Sequence, residues 1–443
     1  MKLKQYPKYK DSGVQWIGEI PESWTYHRCK FLLSSLQSGS RETGGGSQID
    51  EGIFSLGGEH VNWDGTLKLN NPKLISENYY DSMNSGKLKI DDVLLVKDGA
   101  TIGKTAILKT KKFDKMAVNE HVFLMRPNKR ISAKLLYYLI NSDSGFKQIK
   151  LTEVGSAQGG INTDFISKIS FSISEGKETQ DNMISFLDKK TQNISQTIEK
   201  DKKLIELLKE KRIALINHVV TKGLDKNVKM KESGIDWIGE IPKGWSTRRI
   251  DKLSKVSRGA SPRPIDDPIY FDENGEYAWV RIADVSASDR YLNESSEKLS
   301  VLGKSLSVPL EPGRLFVSIA GTVGKPIITK IKCCIHDGFV YFKNMKVNNE
   351  YLYYIFIGER AYLGLGKWGT QLNLNTETIG LITIPLPKKQ IQLQIVEYLD
   401  AQTTKIDQTI NKIQEKITLM QEYKKSLIHH VVTGKVDVRG VEA

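Results

Sequence analysis

A lysine set behind closely spaced glycines can cradle a phosphate, and the chain offers two such segments. They are Asp98-Gly-Ala-Thr-Ile-Gly-Lys-Thr105 and Gly321-Thr-Val-Gly-Lys-Pro326. A nucleotide-binding loop needs four residues between its glycines and a Ser or Thr after the Lys. Only Ala100, Thr101 and Ile102 intervene in the first segment, and the second is shorter with Pro at the hydroxyl position. Nucleotide chemistry is therefore not expected. Two readings remain: a plain turn between strands with its Lys pointing outward, or a turn that touches a nucleic-acid backbone. In the second reading small residues allow close approach, Thr101 and Thr322 offer hydroxyls, and Lys104 and Lys325 each neutralise a phosphate.

Two further stretches keep amides among small residues: Gly155-Ser-Ala-Gln-Gly-Gly-Ile-Asn162, and the run from Lys367 to Asn375. Gln and Asn can bond an adenine edge bidentately, and Arg or Lys a guanine edge. Ser156, Gln158 and Asn162 in the first stretch, with Thr370, Gln371 and Asn373 in the second, are candidate base readers. The competing reading is a loop that caps its own backbone. Loops 38–51 and 258–267 are unlike one another and carry Arg41, Arg258 and Arg263. Such divergence suits two domains that read different sequences.

Other chemistry finds little support. Asp267-Pro-Ile-Tyr270 has only a superficial likeness to the Asp-Pro-Pro-Tyr loop of amino-methyltransferases, without its second Pro, and reads as a turn. Glu422-Tyr-Lys424 lies in a helical pattern where charged flanks are ordinary. The seven His residues have no ligand spacing, and nothing sets Ser, His and Asp out as a triad. Cys29, Cys333 and Cys334 are too few for a disulfide framework or a four-cysteine zinc cage. No catalytic residue and no metal site is expected. Lys plus Arg outnumber Asp plus Glu by 65 to 52, a net charge of +13 that favours a polyanionic partner. No apolar run is long enough to cross a bilayer, and no apolar stretch follows the basic start. A cytoplasmic protein without membrane attachment is the expectation.

The elements that must hold these residues come twice. Ser12-Gly-Val-Gln-Trp-Ile-Gly-Glu-Ile-Pro-Glu-Ser-Trp24 returns as Ser233-Gly-Ile-Asp-Trp-Ile-Gly-Glu-Ile-Pro-Lys-Gly-Trp245, an offset of 221. Thr101-Ile-Gly-Lys104 meets Thr322-Val-Gly-Lys325 at the same offset. Leu136-Tyr-Tyr-Leu139 meets Leu352-Tyr-Tyr-Ile355 at 216, Asn162-Thr163 meets Asn375-Thr376 at 213, and Ile216-Asn-His-Val-Val-Thr221 meets Ile428-His-His-Val-Val-Thr433 at 212. An offset that only falls marks colinear copies. Each copy opens with short β-like runs between Gly/Asn/Asp turns, and its paired Trp residues are expected to bury themselves. It then enters a long helical pattern free of Pro and Gly.

The apolar positions of that pattern keep a 3.5-residue period. They are Leu187, Ile194, Ile198, Ile205, Leu208 and Leu215 in the first copy, and Leu399, Ile406, Ile410, Ile413, Ile417, Met420 and Leu427 in the second. Asp201 and Arg212 interrupt the first seam, either to fix register, to face a partner or as a solvated turn. Two such seams in one chain can bury each other as an antiparallel coiled coil. Residues 187–219 would span about 50 Å.

This combination resembles the specificity subunit of type I restriction-modification systems over nearly the whole chain. It is carried by the Trp-Ile-Gly-Glu-Ile-Pro entries, the Thr-Ile-Gly-Lys and Thr-Val-Gly-Lys turns, the Asn-Thr entries to each distal strand, and the helices ending in His-Val-Val-Thr. Ser172-Ile-Ser-Glu-Gly-Lys departs from the pattern where Thr383-Ile-Pro-Leu-Pro-Lys keeps the usual prolines. The resemblance implies an α+β fold with a pseudo-two-fold repeat. A first target-recognition domain (1–176) and spacer helix (177–222) would be followed by a second domain (223–388), a second helix (389–434) and a tail (435–443). It implies a non-catalytic subunit that reads double-stranded DNA, each domain taking half of an asymmetric bipartite site. Two modification subunits resembling adenine methyltransferases would dock on the helices, and two ATP-dependent restriction subunits could join them. S-adenosylmethionine, ATP and Mg would then belong to the partners, with no cofactor on this chain. A 50 Å rod would allow half-sites up to roughly 15 base pairs apart. The rival readings are a coiled-coil scaffold with two protein-binding heads, and a self-sufficient enzyme.

Overall fold

A computed structural model describes residues 4–441 except 15–16, 44–49, 72, 110–112, 156–158, 364, 366, 369–370 and 373. The chain divides into two compact units. Unit 1 holds Met1–Asp201 with Glu415–Ala443, and unit 2 holds Lys202–Gln414. Two long helices, Lys177–Lys222 and Lys389–Val432, are each divided between the units.

Unit 1 is built on an antiparallel sheet in the order Leu33–Ser38, Val122–Pro127, Val93–Val96, Thr105–Ile107. A second sheet sets Ile53–Leu56 between Lys73–Ile75, antiparallel, and Met116–Val118, parallel. Val93–Val96 is buried on both faces, which is why it reads as an unbroken apolar run. Phe54, Leu56, Leu94, Met116, Val118 and Leu124 form one core between the sheets. The strand Trp24–Arg28 pairs with Ser170–Ser174, which leads into the first long helix.

Unit 2 repeats this plan. Lys255–Arg258, Phe339–Lys343, Leu315–Ser318 and Pro326–Thr329 follow one another as in unit 1, and Tyr291–Leu292 adds a parallel edge. The second sheet again has its central strand, Tyr277–Val280, parallel to one neighbour (Cys333–Ile335) and antiparallel to the other (Glu297–Leu299). Cys333 and Cys334 are core residues of a buried strand, and Cys29 is buried in unit 1. Burial pushes their thiols up to about 11, 12 and 12, far from a nucleophile's range.

The Pro-x-x-Trp end of each repeated segment is a socket for a helix end. Trp24 is fully buried, Trp245 nearly so and Trp237 half-buried, while Trp16 lies outside the described residues. Gly223, just past the first long helix, has φ +76°, and a Cβ there would lie 3.0 Å from the Trp245 ring. Gly434 follows the second long helix with φ +71°, and its Cβ would stand 2.4 Å from Pro21 and 3.2 Å from Trp24. Each socket thus needs a glycine both for the left-handed turn and for close approach. In unit 1 the helix end arrives from the far end of the sequence. The Asp437 N–H donates to the Lys4 carbonyl, and the Tyr9 hydroxyl to the Gly434 carbonyl.

One local expectation is corrected. The Asn-Thr pairs do not open the distal strands directly. Asn162 leads into a helical turn, Phe165–Lys168, and Asn375 caps the helix Thr376–Leu381 by accepting the Thr378 N–H, each ahead of its strand. Asn is a strong N-cap, and a four-to-six-residue helix is too short to show periodicity. Among the described residues no helix is long and apolar enough to cross a membrane.

Candidate nucleic-acid interface

In unit 1 the candidate loops gather around Asp98. This residue precedes the turn Gly99–Thr101, which connects the strands Val93–Val96 and Thr105–Ile107. Gly103 adopts φ +95°, and a Cβ there would strike the Phe146 ring at 2.6 Å, so the turn closes against an aromatic wall. Thr101 and Lys104 are half-buried. The Lys104 ammonium lies 5.9 Å from the centroid of Trp63, a ring that is 58% exposed. The cation therefore rests beside an aromatic face, partway between the two readings of a plain turn and a phosphate contact.

Asp98 also links this turn to both neighbouring loops. Its carboxylate contacts the imidazole of His121 at 3.1 Å and the Lys97 ammonium at 3.1 Å. His121 in turn lies 3.2 Å from Glu120 and 3.1 Å from the guanidinium of Arg41, which pairs with Glu120 at 2.5 Å. The Asp98 backbone bridges to Gly160 in the amide-bearing stretch, and the Ile161 N–H donates to the Lys97 carbonyl. Asn162 is exposed and its side-chain oxygen accepts the Asp164 N–H, which uses part of its capacity for local capping. Ser156 and Gln158 lie outside the described residues.

Unit 2 likewise sets loop arginines and its Thr-x-Gly-Lys turn beside an acidic residue. Asp337 takes the central place. Its carboxylate accepts from Arg263 at 3.0 Å and from the Ser261 hydroxyl at 3.1 Å, and its carbonyl accepts from Arg258. Burial works against the charged form of Asp337, but the Ser261 hydroxyl and the two guanidiniums hold its carboxyl below the usual range. The turn carrying Thr322 and Lys325 lies next to it, because the Ile319 N–H donates to the Gly338 carbonyl. Thr322 shares a hydrogen bond with the Ser286 hydroxyl at 2.8 Å, and the Lys325 ammonium donates to the Ser286 carbonyl at 3.1 Å. Burial lowers the Lys325 pKa. Gln371 is in the strand Gln371–Leu372, paired with Lys367–Trp368, while Thr370 and Asn373 lie outside the described residues.

Among the seam positions, Leu187, Ile194, Ile198, Ile205, Leu399, Ile417 and Leu427 are buried. Leu208, Leu215, Ile406, Ile410, Ile413 and Met420 are half-buried. The residues that interrupt the seam pair across it. Within unit 1, Asp201 meets Lys416 at 2.8 Å and Ser195 accepts from Lys424 at 2.8 Å, so the two helix segments run in opposite directions. Within unit 2, Arg212 meets Asp407 at 3.0 Å.

The residues that fasten the β-rich part of each unit to its long helix are absent from the candidates read in the sequence. The Tyr138 hydroxyl donates to Asp188 at 2.5 Å, and the Tyr354 hydroxyl to Asp400 at 2.5 Å, with Thr191 and Thr403 each 3.4 Å away. Burial and the adjoining carboxylate push both phenols well up. In unit 2, Arg290 bridges Asp400 and Glu350 and lies 5.0 Å over Tyr354. The signal was present in the repeated Leu-Tyr-Tyr motif and in the Asp that follows Leu187 and Leu399 at equal offset. Among the described residues no group of three or more His, Cys, Asp or Glu is placed to hold a metal ion.

Comparison with known proteins converges on one family. The profile of the type I restriction modification DNA specificity domain matches twice, over residues 57–209 and 242–419. From Methanocaldococcus jannaschii, the MjaX protein, named as a putative type I restriction enzyme specificity subunit, is 25% identical over 453 residues, 99% of each chain. The MjaIX specificity subunit of the same organism is 23% identical over 64% of this chain and 62% of its own. One solved chain, from work on complex assembly and conformational transition of the type I R-M system, has a TM-score of 0.71 at 15% identity, covering 94% of this chain and 99% of that one. The HsdS subunit of Thermoanaerobacter tengcongensis has a TM-score of 0.55 at 15% identity, over 94% and 98%. At such identities these structures speak to fold alone, and it is the fold described above. With the profile matched once in each repeat and covering most of the sequence, the chain belongs to the type I restriction-modification DNA specificity family.

Proposed function

We propose that this chain supplies the address of a type I restriction-modification complex and leaves the chemistry to its partners. Each recognition domain reads one half of an asymmetric bipartite site in double-stranded DNA. The long helices form an antiparallel coiled coil that spaces the domains and docks two modification subunits, and two restriction subunits can join. The observation that supports this reading is the duplicated placement of a loop arginine and a Thr-x-Gly-Lys turn beside an acidic residue. It recurs on the same framework with different side chains, as two readers of different sequences require. Lysines beside the turn give affinity through phosphates, and arginines and amides give sequence through groove edges. A target adenine would leave the stack for a pocket in the modification subunit.

The test is methylation sequencing of a methylation-free host that expresses this chain with its modification subunit. The expected result is one asymmetric motif of two short blocks separated by a fixed gap. A chain that fails to bind DNA in the assembled complex, or an undivided motif, would refute the proposal.

A further inference from the structure

The loops that differ most between the two domains are nevertheless anchored in the same way. Glu120 is the second residue after the strand Met116–Val118, and Asp337 is the second after Cys333–Ile335, the corresponding strand. A glycine pins the divergent loop against this turn in both units. A Cβ on Gly39 would lie 1.7 Å from the Val118 carbonyl, and one on Gly259 would lie 2.1 Å from the His336 carbonyl. Beyond the glycine the loops diverge. Arg41 follows Gly39 by two residues and Arg263 follows Gly259 by four. Both guanidiniums still return to the equivalent carboxylate, at 2.5 Å on Glu120 and 3.0 Å on Asp337.

Stability does not account for this recurrence. The arginine side chains are 69% and 68% exposed, and exposed ion pairs contribute little to folding. Aiming does account for it. A guanidinium has five donors in a rigid fork, so a carboxylate can hold one side while the others face outward. On Glu120 the pairing falls on one oxygen, because Oε2 is buried without a hydrogen-bond partner among the described residues.

We infer that Glu120 and Asp337 are positioning residues for sequence readout, each fixing a loop arginine, Arg41 or Arg263, in the pose that reads a guanine edge in its own half-site. The inference rests on the DNA-reading function proposed above and names the residues that set its specificity. An arginine already held on one side spends less ordering entropy on binding, and a bidentate Arg–guanine pair discriminates strongly against other bases.

The experiment uses the chain assembled with its modification subunits, carrying Glu120→Gln, Asp337→Asn, Arg41→Gln or Arg263→Gln. Each is read by the methylated motif and by binding to duplexes altered at single positions. Glu120→Gln should cut discrimination at one guanine-bearing position of one block on the order of ten-fold. Arg41→Gln should affect the same position, and the double variant should be no worse than Arg41→Gln alone. Asp337→Asn and Arg263→Gln should do the same in the other block. An unchanged motif, or a uniform loss of affinity at all positions, would overturn the positioning role. A wild-type complex with no bipartite motif would instead overturn the underlying function, so the two failures are distinguishable. A carboxamide variant that does not assemble is replaced by Glu120→Asp or Asp337→Glu, which keeps the charge but displaces the carboxylate and should show the same single-position loss.

Discussion

At the residue level, the phosphate role proposed for the two turn lysines can be tested separately from sequence readout. Lys325 donates to a neutral carbonyl and Lys104 lies beside an indole, contacts that an anionic phosphate oxygen outcompetes through a charge-assisted bond. Lys104→Ala and Lys325→Ala are each expected to weaken binding to all duplexes alike. Each should also reduce the dependence of log K on log salt by about one, measured by titration across salt concentrations. A changed target motif in either variant would mean that the lysine reads bases. Arg290 belongs to a different class, because it joins two carboxylates beneath aromatic rings. Arg290→Ala leaves Glu350 and Asp400 facing each other without a cation and should lower the unfolding temperature by several degrees, a loss of about 3 kcal/mol. Arg290→Lys should not restore it, since an ammonium lacks the fork that spans both acids. Arg41 and the glycine-lysine turns stood out in the sequence because their types and spacing are informative alone. Glu120, Asp337 and Asp98 did not stand out. An acid in a turn gains meaning only when folding brings an arginine from 74 positions away, as Arg263 reaches the Asp337 carboxylate.

Among the elements, the long helices were the most legible part of the chain. A period of 3.5 residues sustained over many turns places every apolar side chain on one helix stripe, and a stripe that long must be buried. The interruptions were not legible. Asp201 and Arg212 left several readings open, and the choice depends on Lys416 and Asp407, which lie on the other long helix and far away in the sequence. The seam makes its own prediction. Ile417 is 3% exposed within unit 1, so Ile417→Ala should cost about 2–4 kcal/mol, measured by chemical denaturation. Leu419, on the same helix and 64% exposed, should tolerate alanine within about 0.5 kcal/mol. Equal costs at the two positions would mean that Ile417 does not lie on the buried face of the helix. The short helices at Phe165–Lys168 and Thr376–Leu381 mark the opposite limit. Elements of one turn carry no period, and only a cap such as Asn375 announces them.

The molecule as a whole is two copies of one plan whose closure differs in sequence order. Unit 2 receives its socket residue, Gly223, from the segment immediately before its entry motif. Unit 1 receives Gly434 from the opposite end of the chain. Proximity in sequence makes the first closure cheap in loop entropy, whereas the second must bring together segments more than four hundred residues apart. Folding of unit 1 should therefore depend on the final turn of the second long helix, while unit 2 should not. Gly434→Ala combines a left-handed backbone with a Cβ pressed against the Pro21 ring, and should destabilise unit 1 by more than about 1 kcal/mol. In hydrogen exchange, the amides of Trp24–Arg28 and Ser170–Ser174 should lose protection in this variant while those of Ser246–Arg249 and Thr383–Leu386 keep theirs. Gly223→Ala should reverse the pattern, and more mildly, because its Cβ meets the Trp245 ring at 3.0 Å, where a small shift relieves the contact. If either substitution loosened both units equally, the closure of each unit by its own helix end would be refuted.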